Sequence, residues 1–291
     1  MNIAIAPCCW GIYWPQGNEL GWTDYLDRIR AAGYRHTELG PFGYFSTDAA
    51  VLSSELARRD LKLVAAAHVQ TLADASTWPV LEEKTHAICK LLSDTGGTHF
   101  ILMDESEFYP KDHMGVVDEN GWRAVIDQTN RAAVIARSHG LAFSFHSHVG
   151  TCVEHEAQIE RLLAETDPDL VGLCLDTGHH AYWNADPIAF YRRHRDRINS
   201  VHLKNVDGAL RARVLAENIH SDRAFEEGIM TDLDRGVVDI AEFVSVLREG
   251  GYDGPLVVEQ DLARNHPDTP ETIARRNYEF VSKLLADGAG A

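Results

Sequence analysis

The sequence predicts an α/β protein built as a closed (β/α)8 barrel. Three observations carry that prediction. Eight short apolar, β-rich runs recur along the chain, with amphipathic stretches between them. The runs are close to continuously apolar, which suits parallel strands covered on both faces better than an antiparallel sheet with a wet side. The length, 291 residues, is ordinary for one barrel with long loops. An open, doubly wound sheet is the alternative. No GxGxxG follows an early strand, so a dinucleotide-binding fold has little support.

In chain order the runs are IAIA at 3–6, RHTEL at 35–39, LKLVAAAH at 61–68 and THFILM at 98–103. LAFSFH at 141–146, LVGLCL at 170–175, INSVHL at 198–203 and PLVVE at 255–259 follow. Stretches such as WTDYLDRIRAAG and AEFVSVLREGG carry the helical period, and several close on glycine, as helix stops do. No linker divides the chain, so residues 1–291 are expected to form a single domain. Two connections are long. Residues 7–21 carry Trp10, Tyr13 and Trp14, and residues 204–237 are mostly polar. Long connections of this kind are usually functional lids or disordered segments. The tail ADGAGA is expected to fray.

Composition narrows the function classes. Formal net charge is −17, from 44 acids against 27 Lys plus Arg, and no basic cluster stands out. Such a chain repels a phosphate backbone, so nucleic acid is not an expected partner. No apolar run is long enough to span a bilayer, so no membrane partner is expected. The start, MNIAIAPCCW, lacks the charged and apolar regions of a secretory signal and reads as a first strand. Cys8, Cys9, Cys89, Cys152 and Cys174 are odd in number and form no CxxC pair, which fits a reducing compartment. A cytoplasmic protein is expected, as a homo-oligomer or, alternatively, in a hetero-complex.

In a barrel of this type the C-terminal strand ends surround the active site. The fifth run ends at His146, with His148 just beyond. Asp176 follows the sixth, His202 and Lys204 close the seventh, and Glu259 closes the eighth. Four consecutive strands thus place His146, Asp176, His202 and Glu259 around one rim. These are nitrogen and oxygen ligands suited to Mn²⁺, Co²⁺, Fe²⁺ or Zn²⁺, and no thiolate joins them as in a structural zinc site. Each has a plainer reading, the Asp before Thr-Gly as a turn residue above all. The conjunction is what points to a metal.

Further candidates stand near the rim. His179 and His180 would bind substrate hydroxyls or act as acid and base, or else only pack. His148 and Lys204 are catalytic candidates; Lys204 would stabilise an enolate or be solvated. His68 and Glu105, past the third and fourth strands, are additional acid/base candidates, with Glu38 a weaker one. Trp10, Trp14 and Trp183 would stack on a sugar ring or belong to the core. Cys8 and Cys9 read as inert buried thiols.

The segments HSHVGTCVE, VGLCLDTGHHAYWNADP, INSVHLKNV and PLVVEQD resemble the inosose dehydratase branch of the xylose isomerase-like TIM barrels. AFEEGIMTDLDRGVVDI and the PCCWG start are similar to that family too. The superfamily also holds sugar isomerases, ketose epimerases and endonuclease IV. The resemblance implies a metal set of Glu, Asp, His and Glu on strands five to eight, which maps onto His146, Asp176, His202 and Glu259. His146 departs from the Glu of epimerases and isomerases. With a neutral imidazole the ligand charge falls from about −3 to about −2, leaving a divalent ion a stronger Lewis acid. The change also removes a carboxylate base from one face, which favours elimination over epimerisation.

The resemblance implies a carbon–oxygen lyase acting on a keto-cyclitol such as inosose, or on a 3-keto-sugar or 3-keto-glycoside. Proton loss beside the carbonyl would give a metal-bound enediolate, from which a β-hydroxyl leaves. The cofactor would be Mn²⁺ or Co²⁺, with Fe²⁺, Zn²⁺ or Mg²⁺ as alternatives. A sugar isomerase or ketose 3-epimerase on the same scaffold is the alternative activity. An endonuclease IV-like phosphodiesterase would need a basic face, and a non-catalytic subunit would leave the rim unexplained.

Overall fold

The computed structural model describes residues 1–105, 115–263 and 266–287. Strands β1 (Asn2–Ile5), β2 (His36–Glu38), β3 (Lys62–Gln70), β4 (His99–Asp104), β5 (Ala142–His146), β6 (Val171–Asp176), β7 (Ile198–Leu203) and β10 (Pro255–Val258) form one closed parallel barrel. Each lies within two residues of the run that predicts it. The barrel closes where β1 pairs with β10 on one side and with β2 on the other. Helices α1 (Trp22–Ala31), α2 (Ala49–Arg58), α3 (Trp78–Thr95), α4 (Glu119–Ser138), α5 (Glu156–Glu165), α7 (Pro187–His194), α10 (Ile240–Glu249) and α11 (Pro270–Asp287) accompany the strands. A short helix α6 (Thr177–Tyr182) starts directly at the end of β6.

Two apolar layers hold this arrangement. Large side chains such as Tyr25, Tyr34, Phe100, Phe143, Phe190 and Phe243 fill the space between sheet and helices. Small ones, including Ala4, Ala6, Val64, Ala65, Cys174 and Val257, fill the barrel interior. A register shift between Leu173 and Cys174 separates Ile198 from Ser200 on the partner strand. The extra residue there is Asn199, whose side chain donates to the Phe143 carbonyl and accepts from Ser144. Gly172 makes room for it, since a Cβ at that position would lie 2.2 Å from the Asn199 amide nitrogen. The bulge sets the upper halves of β6 and β7 in the register that pairs Asp176 with His202.

The segment 204–237 is not the polar loop that its composition predicts. It folds as a satellite: β8 (Asn205–Val206) pairs antiparallel with β9 (Met230–Thr231), and α8 (Gly208–Glu217) and α9 (Ser221–Glu226) lie between them. Val149, Tyr182, Val206, Val214, Ala224, Ile229 and Met230 form its own apolar cluster. Asn205 pins it, donating to the Leu233 and Val238 carbonyls and accepting from the Val206 and Val238 amides. The 7–21 segment begins with a 3-10 turn at Pro7–Trp10. No described helix is long and apolar enough to cross a membrane.

Candidate metal centre

Asp176 is the last residue of β6 and also the N-cap of α6. Its Oδ1 accepts the His179 amide at 2.8 Å, satisfying a donor that the short helix would leave orphaned. Its Oδ2 is buried with no hydrogen-bond partner and faces the barrel mouth. One residue thus caps the helix with one oxygen and turns the other toward the cluster.

The other three members converge on that second oxygen. His146 Nε2 stands 3.7 Å from Asp176 Oδ2, and His202 Nδ1 stands 4.0 Å from it and 3.3 Å from Glu259 Oε2. One donor atom from each of the four lies within 4.8 Å of the others, on side chains that are almost fully buried. Asp176 Oδ2 and His202 Nδ1 are buried without hydrogen-bond partners. Such atoms carry a full desolvation cost unless something binds them. Two imidazoles and two carboxylates with unsatisfied donors at this spacing fit a divalent ion.

Glu38, at the end of β2, completes the arrangement from behind. Its Oε1 lies 3.1 Å from His202 Nε2. Nε2 donates to this carboxylate, which leaves Nδ1 as the nitrogen that would ligate an ion at the centre. In the sequence Glu38 is only a weaker candidate at the end of the second strand; closure of the barrel brings it to His202.

Lys204 sits inside the cluster. Its Nζ is 3.4 Å from Asp176 Oδ2, 3.0 Å from Glu259 Oε2 and 2.9 Å from Asp261 Oδ2. Burial opposes its charge, but Asp176, Asp261 and Glu259 outweigh burial and hold its pKa well above the usual lysine range. Gly178 permits this close packing, since a Cβ there would lie 2.7 Å from Lys204 Cγ. The ammonium donates to His179 Nε2 at 3.0 Å. Burial, then His148 and Lys204, push the His179 imidazole well below its ordinary pKa. Burial, then His146 and Lys204, bring His148 down to about 4. Both rings are neutral near pH 7, and their centroids are 3.8 Å apart.

Not every candidate joins this group. His180 turns away: its Nε2 meets Glu156 at 3.1 Å, and its ring packs on Phe190. Adjacent residues on a helix point about 100° apart, so only one of the two histidines faces the rim. Trp183 donates to Glu154 and packs on His155 and Tyr182, on the outer side of α6. Trp10 donates to Glu271 and meets Tyr25 edge-on, anchoring the first loop to α11. Trp14 is 59% exposed. These placements set His180, Trp183 and Trp10 in contacts outside the four-residue cluster. His68 is partly exposed in β3, and Lys84, rather than a member of the cluster, is the charge acting on it. Glu105 lies just past β4, partly buried. Two aromatics that sequence reasoning did not select approach the site instead. Tyr13 donates to Asp261 at 3.2 Å, and Phe225 of α9 lies 6.3 Å from the His148 ring and 6.1 Å from that of His179.

The xylose isomerase-like TIM barrel family model matches residues 26–284. The chain belongs to this family. Within it, the chain is similar to the inosose dehydratase of Geobacillus kaustophilus, strain HTA426, with 30% identity covering 98% of this chain and 94% of that one. Among solved structures, a probable 3-DHS dehydratase, AsbF, from Bacillus anthracis superposes with a TM-score of 0.71 at 15% identity, covering 97% of this chain and 99% of that chain. The IOLI protein, solved with a binding zinc atom, gives 0.73 at 15% identity over 99% of each chain. These two likenesses concern the fold.

Proposed function

We propose that this chain is a divalent-metal-dependent dehydratase that removes water from a keto-cyclitol such as an inosose. One observation carries the reading. A buried set of donors suited to a metal stands in contact with a lysine ammonium and beside two neutral imidazoles, which are the groups that dehydration next to a carbonyl requires. The similarity to inosose dehydratases along nearly the whole chain supports the substrate class.

His146, Asp176, His202 and Glu259 would hold the ion, here Mn²⁺ or Co²⁺. When bound, the ion supplies Lewis-acid polarisation of the carbonyl and its neighbouring oxygen. The proton on the adjacent carbon then needs a base that is unprotonated at neutral pH. His148 qualifies. Its Nδ1 lies 2.7 Å from the Val149 carbonyl, which can only accept, so Nδ1 bears the hydrogen and Nε2 the lone pair. The departing β-hydroxyl needs a proton, and Lys204 is the placed donor. With Asp176 and Glu259 engaged as ligands, the ammonium keeps only Asp261 of its three carboxylate partners and gives up its proton more readily. His179 positions Lys204. Phe225 and the satellite segment limit water access, which protects a reactive enolate-type intermediate.

The test is product analysis. An inosose incubated with protein and Mn²⁺ should give a product lighter by one water that absorbs in the ultraviolet. A mass-conserved product would overturn the dehydratase reading in favour of an isomerase or epimerase. Loss of an aglycone from a 3-keto-glycoside would keep the elimination and replace the substrate.

A further inference from the structure

Cys174 lies on β6 two residues before Asp176, on the same face of the strand and therefore one layer deeper in the barrel. It is 0% exposed, in the interior layer of small side chains. Register places it beside His146 on β5 and Ser200 on β7. His146, Cys174 and His202 present one nitrogen, sulfur and nitrogen donor all within 4.8 Å of one another. Across a zinc tetrahedron, with Zn–S and Zn–N bonds of about 2.3 and about 2.0 Å, the corresponding separation is roughly 3.5 Å. Small rotations of two imidazoles and one thiol would close that gap.

We infer that this barrel has a second, deeper ion position, His146–Cys174–His202, which takes thiophilic divalent ions and excludes occupancy of the four-residue centre above it. The two positions share both imidazoles, so one ion precludes the other. They differ in softness. The upper set adds two carboxylates and suits Mn²⁺; the deeper set adds a thiolate and suits Zn²⁺ or Cd²⁺.

The charge arrangement supports the deeper position. Asp176 Oδ2 and Glu259 Oε2 already pair with Lys204 at 3.4 and 3.0 Å. An ion in the upper position must take those oxygens from the ammonium. An ion in the deeper position leaves that ion-pair cluster intact and uses His202 Nδ1, which lacks a hydrogen-bond partner, and the His146 imidazole, whose Nδ1 also lacks one. Glu38 orients His202 equally well for either position. The expected consequence is metal selectivity: Zn²⁺ and Cd²⁺ are trapped low, away from the groups proposed to act on substrate, and inhibit rather than activate.

X-ray absorption on the zinc-loaded full chain reads the ligands directly. One sulfur at about 2.3 Å should appear in the wild type, persist in Cys8→Ser and vanish in Cys174→Ser. The Cys174→Ser chain should lose at least about tenfold in Zn²⁺ or Cd²⁺ affinity, the scale on which even an outer partner of a ligand counts, with Mn²⁺ affinity unchanged within about twofold. Should Cys174→Ser fail to fold, Cys174→Ala, small and apolar like the layer around it, makes the same test. Zinc bound with nitrogen and oxygen only, or a sulfur that disappears with Cys8, overturns the deeper position. That failure is separable from failure of the proposed dehydratase reading, which rests on Mn²⁺ or Co²⁺ in the upper set and on the product's mass.

Discussion

Asp176 caps α6 with Oδ1 and is proposed to bind the ion with Oδ2, and the two roles can be separated. Asp176→Asn keeps a side-chain oxygen for the His179 amide, and Asn caps a helix about as well as Asp. The cap should hold, but buried Lys204 loses the charge of a carboxylate 3.4 Å away, so folding stability should fall by about 1–3 kcal/mol, read from urea unfolding. Mn²⁺ affinity, read by calorimetry, should fall by more than about tenfold because a charged donor is lost. Unchanged affinity would take Asp176 out of the metal set. Glu38 gives a second residue-scale prediction. Glu38→Gln can still accept from His202 Nε2 but no longer offers the charge that raises imidazole basicity, so Mn²⁺ affinity should drop about 10- to 100-fold. Unchanged affinity would remove Glu38 from the centre.

At the scale of elements, the strands were legible because buried parallel strands are apolar almost throughout, and IAIA, THFILM and LVGLCL admit few other readings. The satellite 204–237 was not. Only Val214 of α8 and Ala224 of α9 are fully buried, so neither helix announces an apolar face; both are held by the separate cluster around Tyr182 and Met230. The same limit hid the direction of His180. Adjacent histidines look alike in a sequence, and only the start of α6 at Asp176 decides which one faces the mouth. Because the satellite is hydrogen-bonded and packed, limited proteolysis should cut the exposed stretch around Tyr13 and Trp14, 47% and 59% exposed, before it cuts residues 208–231. First cleavage inside α8 or α9 would contradict its packing.

For the whole molecule, barrel closure is the feature that assembles the site. Glu38 on β2 reaches His202 across a barrel whose strand order sets β2 far from β7, and Lys204 gathers carboxylates from β6 and from the end of β10. Residue type and strand-end position pointed to His146, Asp176, His202 and Glu259; the partners that tune them needed the closed fold. Acid stability is another whole-chain property with one readable contributor. Burial, with Lys84, lowers the His68 pKa from 6.5 to about 4. A depressed histidine stabilises the fold above its unfolded pKa, and that contribution is lost as pH falls from 6.5 toward 4. Relative to the wild type, His68→Asn should therefore gain stability between pH 7.5 and pH 5, by on the order of 1–2 kcal/mol in urea unfolding. Parallel pH curves for the two chains would show that His68 is not held neutral by the fold.

The proposed dehydration depends on a metal centre built from His146, Asp176, His202 and Glu259. Its most direct test is the mass of the product formed from an inosose by chelator-stripped protein, before and after Mn²⁺ or Co²⁺ is restored. The stripped chain should give no conversion and, on reloading, a product lighter by one water, with its new ultraviolet absorbance lost again in Asp176→Asn. Conversion without metal, or a metal-dependent product of unchanged mass, would contradict it.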